Sequence, residues 1–128
     1  NPASMRTLAD ILRNTHSGQA PVVLLGMSQE KNWREMCRLI APLAGRVMAV
    51  PTSSQKAVSP DSIAEVCSEF CEAMTAESVE KGLDLLADEP FVVVAGSIYL
   101  AGEVMERLNV FPQPESDERD LNEWVMAT

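Results

Sequence analysis

The segment FVVVAGSIYLAGEV, residues 91–104, indicates how this chain folds. Its first half is a continuous apolar run rich in valine, which is typical of a strand buried on both faces of a sheet. Its second half predicts a helix, and the apolar residues that recur at helical spacing are Ile98, Ala101, Val104, Met105 and Leu108. Gly96 permits a tight turn between the two halves, and Ser97 is a residue type that caps helices. The segment therefore predicts a strand that leads directly into a helix N-terminus.

Such a junction places free backbone amides and a serine hydroxyl at the carboxyl edge of the sheet, where open α/β sheets bind anionic ligands. Ser97 is thus a candidate binding residue. Two cations follow other predicted strands, Lys31 after the first and Lys56 after the second. A surface lysine needs no ligand to explain it, so both interpretations of these lysines stay open. Asn1 either caps the first helix or directs its amide toward a ligand.

The rest of the chain alternates between the two patterns. Strands are predicted at 22–25, 46–50 and near 72–74, with helices between them. Ser59-Pro60 gives a cap followed by proline, and Thr75 is predicted to cap the helix that follows the third strand. This alternation predicts an α/β fold, a three-layer Rossmann-like and mostly parallel sheet with helices on both faces and right-handed crossovers.

Composition limits the classes of function. The chain has 128 residues, 46% of them hydrophobic, and a net charge of −9, which fits one domain and argues against nucleic acid or an anionic membrane as its partner. No apolar run approaches the length of a membrane span. Three cysteines, an odd number, favour reduced thiols and a cytoplasmic location. The one histidine, His16, has no neighbour that suggests catalysis, and Cys67 and Cys71 lack further ligands at metal-site spacing, so we expect no metal.

Two nucleotide-binding signatures are missing from the chain: neither GxGxxG nor GxxxxGK[ST] is present. The sequence also opens on a helix-starting Asn1-Pro2 pair, which we interpret as a fragment whose preceding part was removed. We expect a domain over residues 1–111 and a C-terminal tail over 112–128. For that tail we predict one short amphipathic helix, and Leu121, Trp124 and Val125 would lie on one face of it.

Residues 96–104 resemble the GSLYLxGEV motif of folylpolyglutamate and dihydrofolate synthases, members of the Mur ligase superfamily. Asn1-Pro2 is similar to the end of the family's DxAHNP motif, and residues 26–32 resemble its GMxxDKD segment. Lys56 lies where the family often has an arginine near an alanine. The likeness covers residues 1 to about 108. Glu30 and Asn32 depart from the two aspartates of the motif, and Lys56 departs from the arginine, whose bidentate fork a lysine does not reproduce.

The resemblance implies that the chain is the C-terminal domain of an ATP-dependent ligase that joins L-glutamate to a folate or a dihydropteroate through an acyl phosphate. It implies glutamate binding by Lys31, Ser97 and Tyr99, and places Asn1 and Lys56 near the nucleotide. Packing of the Tyr99 ring on the sheet is an equally good interpretation. ATP and Mg2+ would be held mainly by a missing central ATPase domain of the same chain. No catalytic residue and no bound cofactor are then expected here, and the fragment would be an inactive monomer.

Two alternatives to this ligase domain remain open at the level of the sequence. One is a stand-alone Rossmann-like module that binds a ligand or regulates without chemistry of its own. The other is the C-terminal domain of a different Mur-type ligase. A fold of this class does not by itself select a function.

Overall fold

The computed structural model describes residues 2–15, 20–30 and 32–109, and the backbone of residues 126–127. The helices in this part of the chain are α1 (Pro2–Thr15), α2 (Trp33–Ile40), α3 (Pro60–Cys67), α4 (Val79–Leu85) and α5 (Ile98–Arg107). The strands are β1 (Val22–Gly26), β2 (Arg46–Ala49), β3 (Glu72–Thr75), β4 (Val92–Gly96) and β5 (Met126–Ala127). A 3-10 turn at Ala41–Leu43 continues α2. The predicted alternation of strands and helices is confirmed.

The five strands form one sheet in the order β3-β2-β1-β4-β5, and every neighbouring pair is parallel. β1 lies at the centre, and all five of its residues are buried, as expected for a strand covered on both faces. From β1 the chain moves outward through β2 to β3, and then returns to the other side of β1 as β4. The order of the sheet therefore switches between β1 and β4, which is where open α/β sheets form a crevice for ligands.

Helices cover both faces, so the predicted three-layer architecture is confirmed. Alternate strand residues point to opposite faces: Val23 and Leu25 join the core beneath α1, α2 and α3. Val22 and Leu24 join the second core, beneath α4 and α5. No helix in the described residues is long and apolar enough to span a membrane.

Two local predictions were wrong. Thr75 ends β3, and Ser78 caps α4 instead, its hydroxyl accepting a hydrogen bond from the amide of Lys81 at 3.1 Å. Ile98 and Leu108 were assigned to the apolar stripe of α5 but are 64% and 37% exposed, because α5 packs on the sheet through Leu100, Ala101 and Val104. In both cases the helix itself was predicted correctly, and only the role of individual residues in it was wrong.

The C-terminal end of the chain contributes β5, which pairs with Val94 and Ala95 of β4. Residues of the predicted tail therefore take part in the sheet at 126–127. The helix predicted around Leu121 and Trp124 lies outside the described residues, and the boundary near residue 111 stays a prediction.

Candidate functional site

The candidate site lies at the carboxyl ends of β1 and β4, where the two strands end in glycines that face each other. Gly26 and Gly96 are partners in the register, and the amide of Ser97 donates a hydrogen bond to the Gly26 carbonyl at 2.9 Å. Gly96 has a φ of +115°, and a Cβ there would lie 2.1 Å from the Gly26 carbonyl oxygen. The close approach therefore requires a glycine at position 96, and it brings the two strand ends together at the switch in strand order.

Ser97 caps α5, as predicted. Its backbone is extended, and its Oγ accepts a hydrogen bond from the Tyr99 amide at 3.1 Å. Because this contact uses an oxygen lone pair, the hydroxyl proton remains available to donate to a ligand. The residue is 2% exposed. Ser97 thus combines a hydroxyl donor with the positive end of a ten-residue helix.

Tyr99 does not pack its ring on the sheet. The residue is 56% exposed, and the neighbouring Ile98 is 64% exposed, so both side chains point away from the core beneath α5. The interpretation of Tyr99 as an aromatic residue packed at the helix start is therefore wrong. Tyr99 is exposed beside Ser97, and a role of its ring in binding a ligand stays a prediction.

The loops that follow β1 and β2 are joined along the same edge. The amide of Val58 donates to the Met27 carbonyl at 2.8 Å, and the amide of Gln29 donates to the Lys56 carbonyl at 2.8 Å. Ser28 and Ala57 form an antiparallel bridge between these two contacts. The loop carrying Lys56 is consequently fixed against the loop that precedes α2.

Lys56 and Glu30 form an ion pair across these loops, with Nζ 2.6 Å from Oε1. Their hydrogen bond, and then their charge attraction, lower the pKa of Glu30 and raise the pKa of Lys56. Both side chains are about two-thirds exposed, at 65% and 66%. Glu30 and Lys56 are two of the positions at which the sequence differs from the family pattern. Their side chains are the ones that form this ion pair.

Three of the residues considered from the sequence lie outside the described part of the chain. They are Asn1, His16 and Lys31. The glutamate role of Lys31 and the nucleotide role of Asn1 therefore stay predictions. Of the remaining candidates, Ser97 and Tyr99 lie together at the start of α5, whereas Lys56 lies on the joined loops after β1 and β2.

A cleft of about 510 Å3 opens between these joined loops and the first turns of α2 and α3. The Arg34 guanidinium lies 4.3 Å from the centroid of the Trp33 ring, and both residues line the cleft together with Ser59 and Ser62. No pattern in the sequence marked Trp33 or Arg34 as a binding residue. Their adjacency at the start of a helix after a parallel strand is the one feature that could have drawn attention to them.

A larger apolar groove of about 830 Å3 lies at the opposite end of β4, between α4 and α5. It is lined by residues such as Phe91, Val92 and Leu108, and its charged groups are Asp84 and Glu89. An acidic rim opposes an anionic ligand, so this groove does not compete with the carboxyl edge as the anion site.

The described residues do not fit a bound magnesium ion. They contain no group of three or more histidine, cysteine or acidic side chains placed to hold a metal. The three thiols are structural: Cys37 and Cys67 are buried in the core, and hydrogen bonding with Cys37 together with burial raises the pKa of Cys67. Burial, and then the neighbouring Cys67, raise the pKa of Cys71 to about 11. Cys67 and Cys71 are therefore poor metal ligands at neutral pH.

No family model matches the sequence, and no curated protein matches it either. Solved structures do match. Mycobacterium tuberculosis folylpolyglutamate synthase complexed with ADP and AMPPCP aligns over 88% of this chain and 29% of that chain, at 22% identity and a TM-score of 0.78. E. coli FolC in complex with DHPP and ADP aligns over 85% and 27%, at 18% identity and a TM-score of 0.76. A bifunctional folylpolyglutamate synthase/dihydrofolate synthase with Mn, AMPPNP and L-glutamate bound aligns over 86% and 27%, at 20% identity and a TM-score of 0.71.

The chain thus spans somewhat more than a quarter of the length of the enzymes it matches. At these levels of identity the likeness establishes the fold. The motif at residues 96–104 resembles that of the same group of enzymes. Sequence and structure agree that this chain has the Rossmann-like fold found within folylpolyglutamate synthases.

Proposed function

We propose that this chain is the glutamate-accepting domain of an ATP-dependent amide ligase that adds L-glutamate to a folate or a dihydropteroate. The observation that carries the proposal is the junction of β4 and α5: a serine-capped helix start at the switch in strand order, within a fold shared with folylpolyglutamate synthases. The relatives have ADP, AMPPCP or AMPPNP in their structures, and one has L-glutamate.

The reaction that we propose has two steps. ATP phosphorylates the carboxylate of the pterin substrate, and the amino group of glutamate then attacks the acyl phosphate. The new C–N bond forms as the C–O bond to phosphate breaks, so inorganic phosphate leaves and the amine loses a proton. This domain would bind and orient glutamate, because orientation converts an encounter of two substrates into an effectively intramolecular step.

Glutamate is an anion, and the chain has a net charge of −9, so the carboxylates of glutamate must be met by local groups. In our proposal the Ser97 hydroxyl and Lys31 contact those carboxylates, with Tyr99 beside them. The N-terminus of α5 adds a favourable dipole. Lys56 and Asn1 would lie near the nucleotide. Since Glu30 already pairs with Lys56, nucleotide binding by this lysine would require the ion pair to open or to be shared.

The partner in this proposal is a central domain of the same protein that holds ATP and Mg2+. The sequence contains no P-loop, and in this proposal the nucleotide site is built by that central domain. The chain alone would then be an inactive monomer with weak affinity for ATP and for glutamate. A cytoplasmic location would be consistent with its unpaired cysteines.

The proposal is tested with the full-length parent protein, by measuring phosphate release with ATP, glutamate and either dihydropteroate or tetrahydrofolate. We expect release that requires both the pterin and glutamate, and the preferred pterin identifies the substrate. A folded protein that binds ATP but releases no phosphate with either pterin would indicate a different Mur-type ligase. A protein that does not bind ATP would support the stand-alone binding module.

The site residues are tested in the same assay with Ser97→Ala and Lys31→Ala. A hydrogen bond to a charged group contributes about 1.5–3 kcal/mol, so each variant should raise the KM for glutamate by roughly 10- to 100-fold and leave the KM for ATP nearly unchanged. Ser78→Ala is the matched control, because Ser78 also caps a helix through its hydroxyl but lies on α4. An unchanged glutamate KM in both site variants would refute the assignment.

A further inference from the structure

We propose that the cleft beside Trp33 and Arg34 binds a small organic anion, a carboxylate or a phosphate that is joined to an apolar or aromatic group. It would be a second ligand site, one that the proposed ligase reaction does not use. The inference rests on an arginine held against an aromatic ring, in the wall of a cleft that also contains hydroxyl donors.

The first observation is the state of the Arg34 guanidinium. It lies 4.3 Å from the centroid of the Trp33 ring, a distance typical of a cation–π contact. Among the residues that the structure describes, no carboxylate forms an ion pair with it. A guanidinium that contacts a ring through its face keeps the N–H donors at its edge, and their planar fork matches a carboxylate or a phosphate. Arg34 therefore presents an oriented cation whose charge is not neutralised.

The acidic side chains nearest to Arg34 in the sequence are already paired with other cations. The Glu35 carboxylate lies 2.6 Å from the Arg6 guanidinium, and the Glu30 carboxylate lies 2.6 Å from Lys56 Nζ. An anion that enters the cleft therefore does not have to displace either carboxylate from Arg34.

The second observation is a pair of serines on the opposite wall, at the start of α3. Ser59 Oγ accepts a hydrogen bond from the Ser62 amide at 3.2 Å, and its hydroxyl donates to Ser62 Oγ at 2.8 Å. Because Ser62 Oγ is the acceptor in that contact, the proton of the Ser62 hydroxyl remains available to a ligand. Gln29, whose side chain ends in an amide, lines the same cleft. The cleft thus combines one cation with neutral hydrogen-bond donors.

The size and the remaining wall of the cleft define the rest of the ligand. Its volume of about 510 Å3 lies within the range of about 300–1,000 Å3 that is usual for small-molecule sites. Ala57 and Val58 line it together with the Trp33 ring, so an apolar wall adjoins the donors. An inorganic ion would leave this wall in contact with water, whereas an anion that carries an apolar or aromatic group would cover it.

The cleft is separate from the junction of β4 and α5. Its walls come from the loops after β1 and β2 and from the first turns of α2 and α3, and neither Ser97 nor Tyr99 lines it. The helices α2 and α3 cover one face of the sheet, whereas α5 covers the other. Binding in the cleft can therefore be measured without any of the proposed substrates.

The inference is tested by NMR titration of the 128-residue chain with benzoate, with phenyl phosphate and with uncharged benzyl alcohol. The signals to follow are the Trp33 indole N–H and the backbone amides of Gln29 and Val58. The variants are Arg34→Gln and Ser62→Ala. Arg38→Gln is the matched control, because Arg38 is also an exposed arginine of α2 but does not line the cleft.

We expect at least one of the two anions to shift these signals in a saturable way, and to bind roughly tenfold more weakly to Arg34→Gln but equally to Arg38→Gln. Ser62→Ala should also weaken binding, by a smaller factor. Tighter binding of benzoate would identify a carboxylate ligand, and tighter binding of phenyl phosphate would identify a phosphate.

Three results would overturn the inference: no saturable shift with either anion, equal affinity for benzyl alcohol, or unchanged affinity in Arg34→Gln. Failure of the proposed function is a separate result, because this titration uses neither ATP nor glutamate. Anion binding here by a chain whose parent protein shows no glutamate-dependent phosphate release would reject the ligase and leave the second site standing.

Discussion

Gly96→Ala should destabilise the 128-residue chain severely, because the backbone at this position is unsuited to any side chain. Holding an alanine at a φ of +115° costs about 1–3 kcal/mol. The new Cβ would lie 2.1 Å from the Gly26 carbonyl oxygen, so β4 must move away from β1. That movement removes the 2.9 Å hydrogen bond from the Ser97 amide to the same oxygen, which contributes about 1 kcal/mol. Together these effects predict a loss of roughly 2–4 kcal/mol, a large part of the 5–15 kcal/mol typical of a domain.

The measurement is urea unfolding, followed by circular dichroism, of Gly96→Ala beside Gly102→Ala. Gly102 is the matched control, because it also lies in residues 96–104 but a Cβ there would meet nothing within 4 Å. Replacing a helix-interior glycine by alanine should raise the free energy of unfolding by about 0.5–1 kcal/mol. The two substitutions should therefore have opposite signs. Equal midpoints for Gly96→Ala and the unmodified chain would refute the close approach of β1 and β4.

Three further predictions test local contacts. Ser59→Ala should lower the free energy of unfolding by about 1 kcal/mol, since Ser59 caps α3 by accepting from the Ser62 amide; no change in urea unfolding would contradict the cap. The Glu30–Lys56 pair should stabilise the fold at neutral pH, and lose this effect as pH falls through the lowered pKa of Glu30 or rises through the raised pKa of Lys56. In an NMR titration, 1 M salt should move both pKa values toward their ordinary values, and unmoved values would argue against the pair. With a pKa of about 11, Cys71 should react with iodoacetamide about 200-fold more slowly at pH 8 than a thiol of pKa 8.5, and a rate equal to that of a free thiol would contradict its burial.

The parts of the fold that depend on residues close together in the chain could be predicted from the sequence. The valine run of β4, the turn at Gly96 and the cap at Ser97 are contiguous, so local pattern and turn chemistry are sufficient to identify them. The error in the cap of α4 arose where two residues that can both cap a helix compete within one turn. Thr75 and Ser78 are both good caps, and the choice of Ser78 is fixed by where β3 ends, which pairing with β2 determines.

The candidate site was only half predictable, because part of it is assembled from distant segments. Ser97 was found because one short motif contains both the strand end and the helix start. The contact between Lys56 and Glu30 joins residues 26 positions apart. It exists because the loop after β2 is hydrogen-bonded along the loop after β1, an arrangement that no local pattern encodes. The cleft beside Trp33 and Arg34 depends on the same loop pairing.

The segment from Gly96 to Val104 has three distinct structural features within nine residues. Gly96 lets two strand ends approach within hydrogen-bonding distance, Ser97 converts that junction into a donor site, and Gly102 leaves the outer side of the same helix open. The close approach at Gly96 is a contact within this chain, so substitution of Gly96 should destabilise the isolated chain. The third is a property of the helix surface, so Gly102→Ala should stabilise this chain. The same substitution, glycine to alanine, should therefore have opposite effects on stability at two positions six residues apart in this segment.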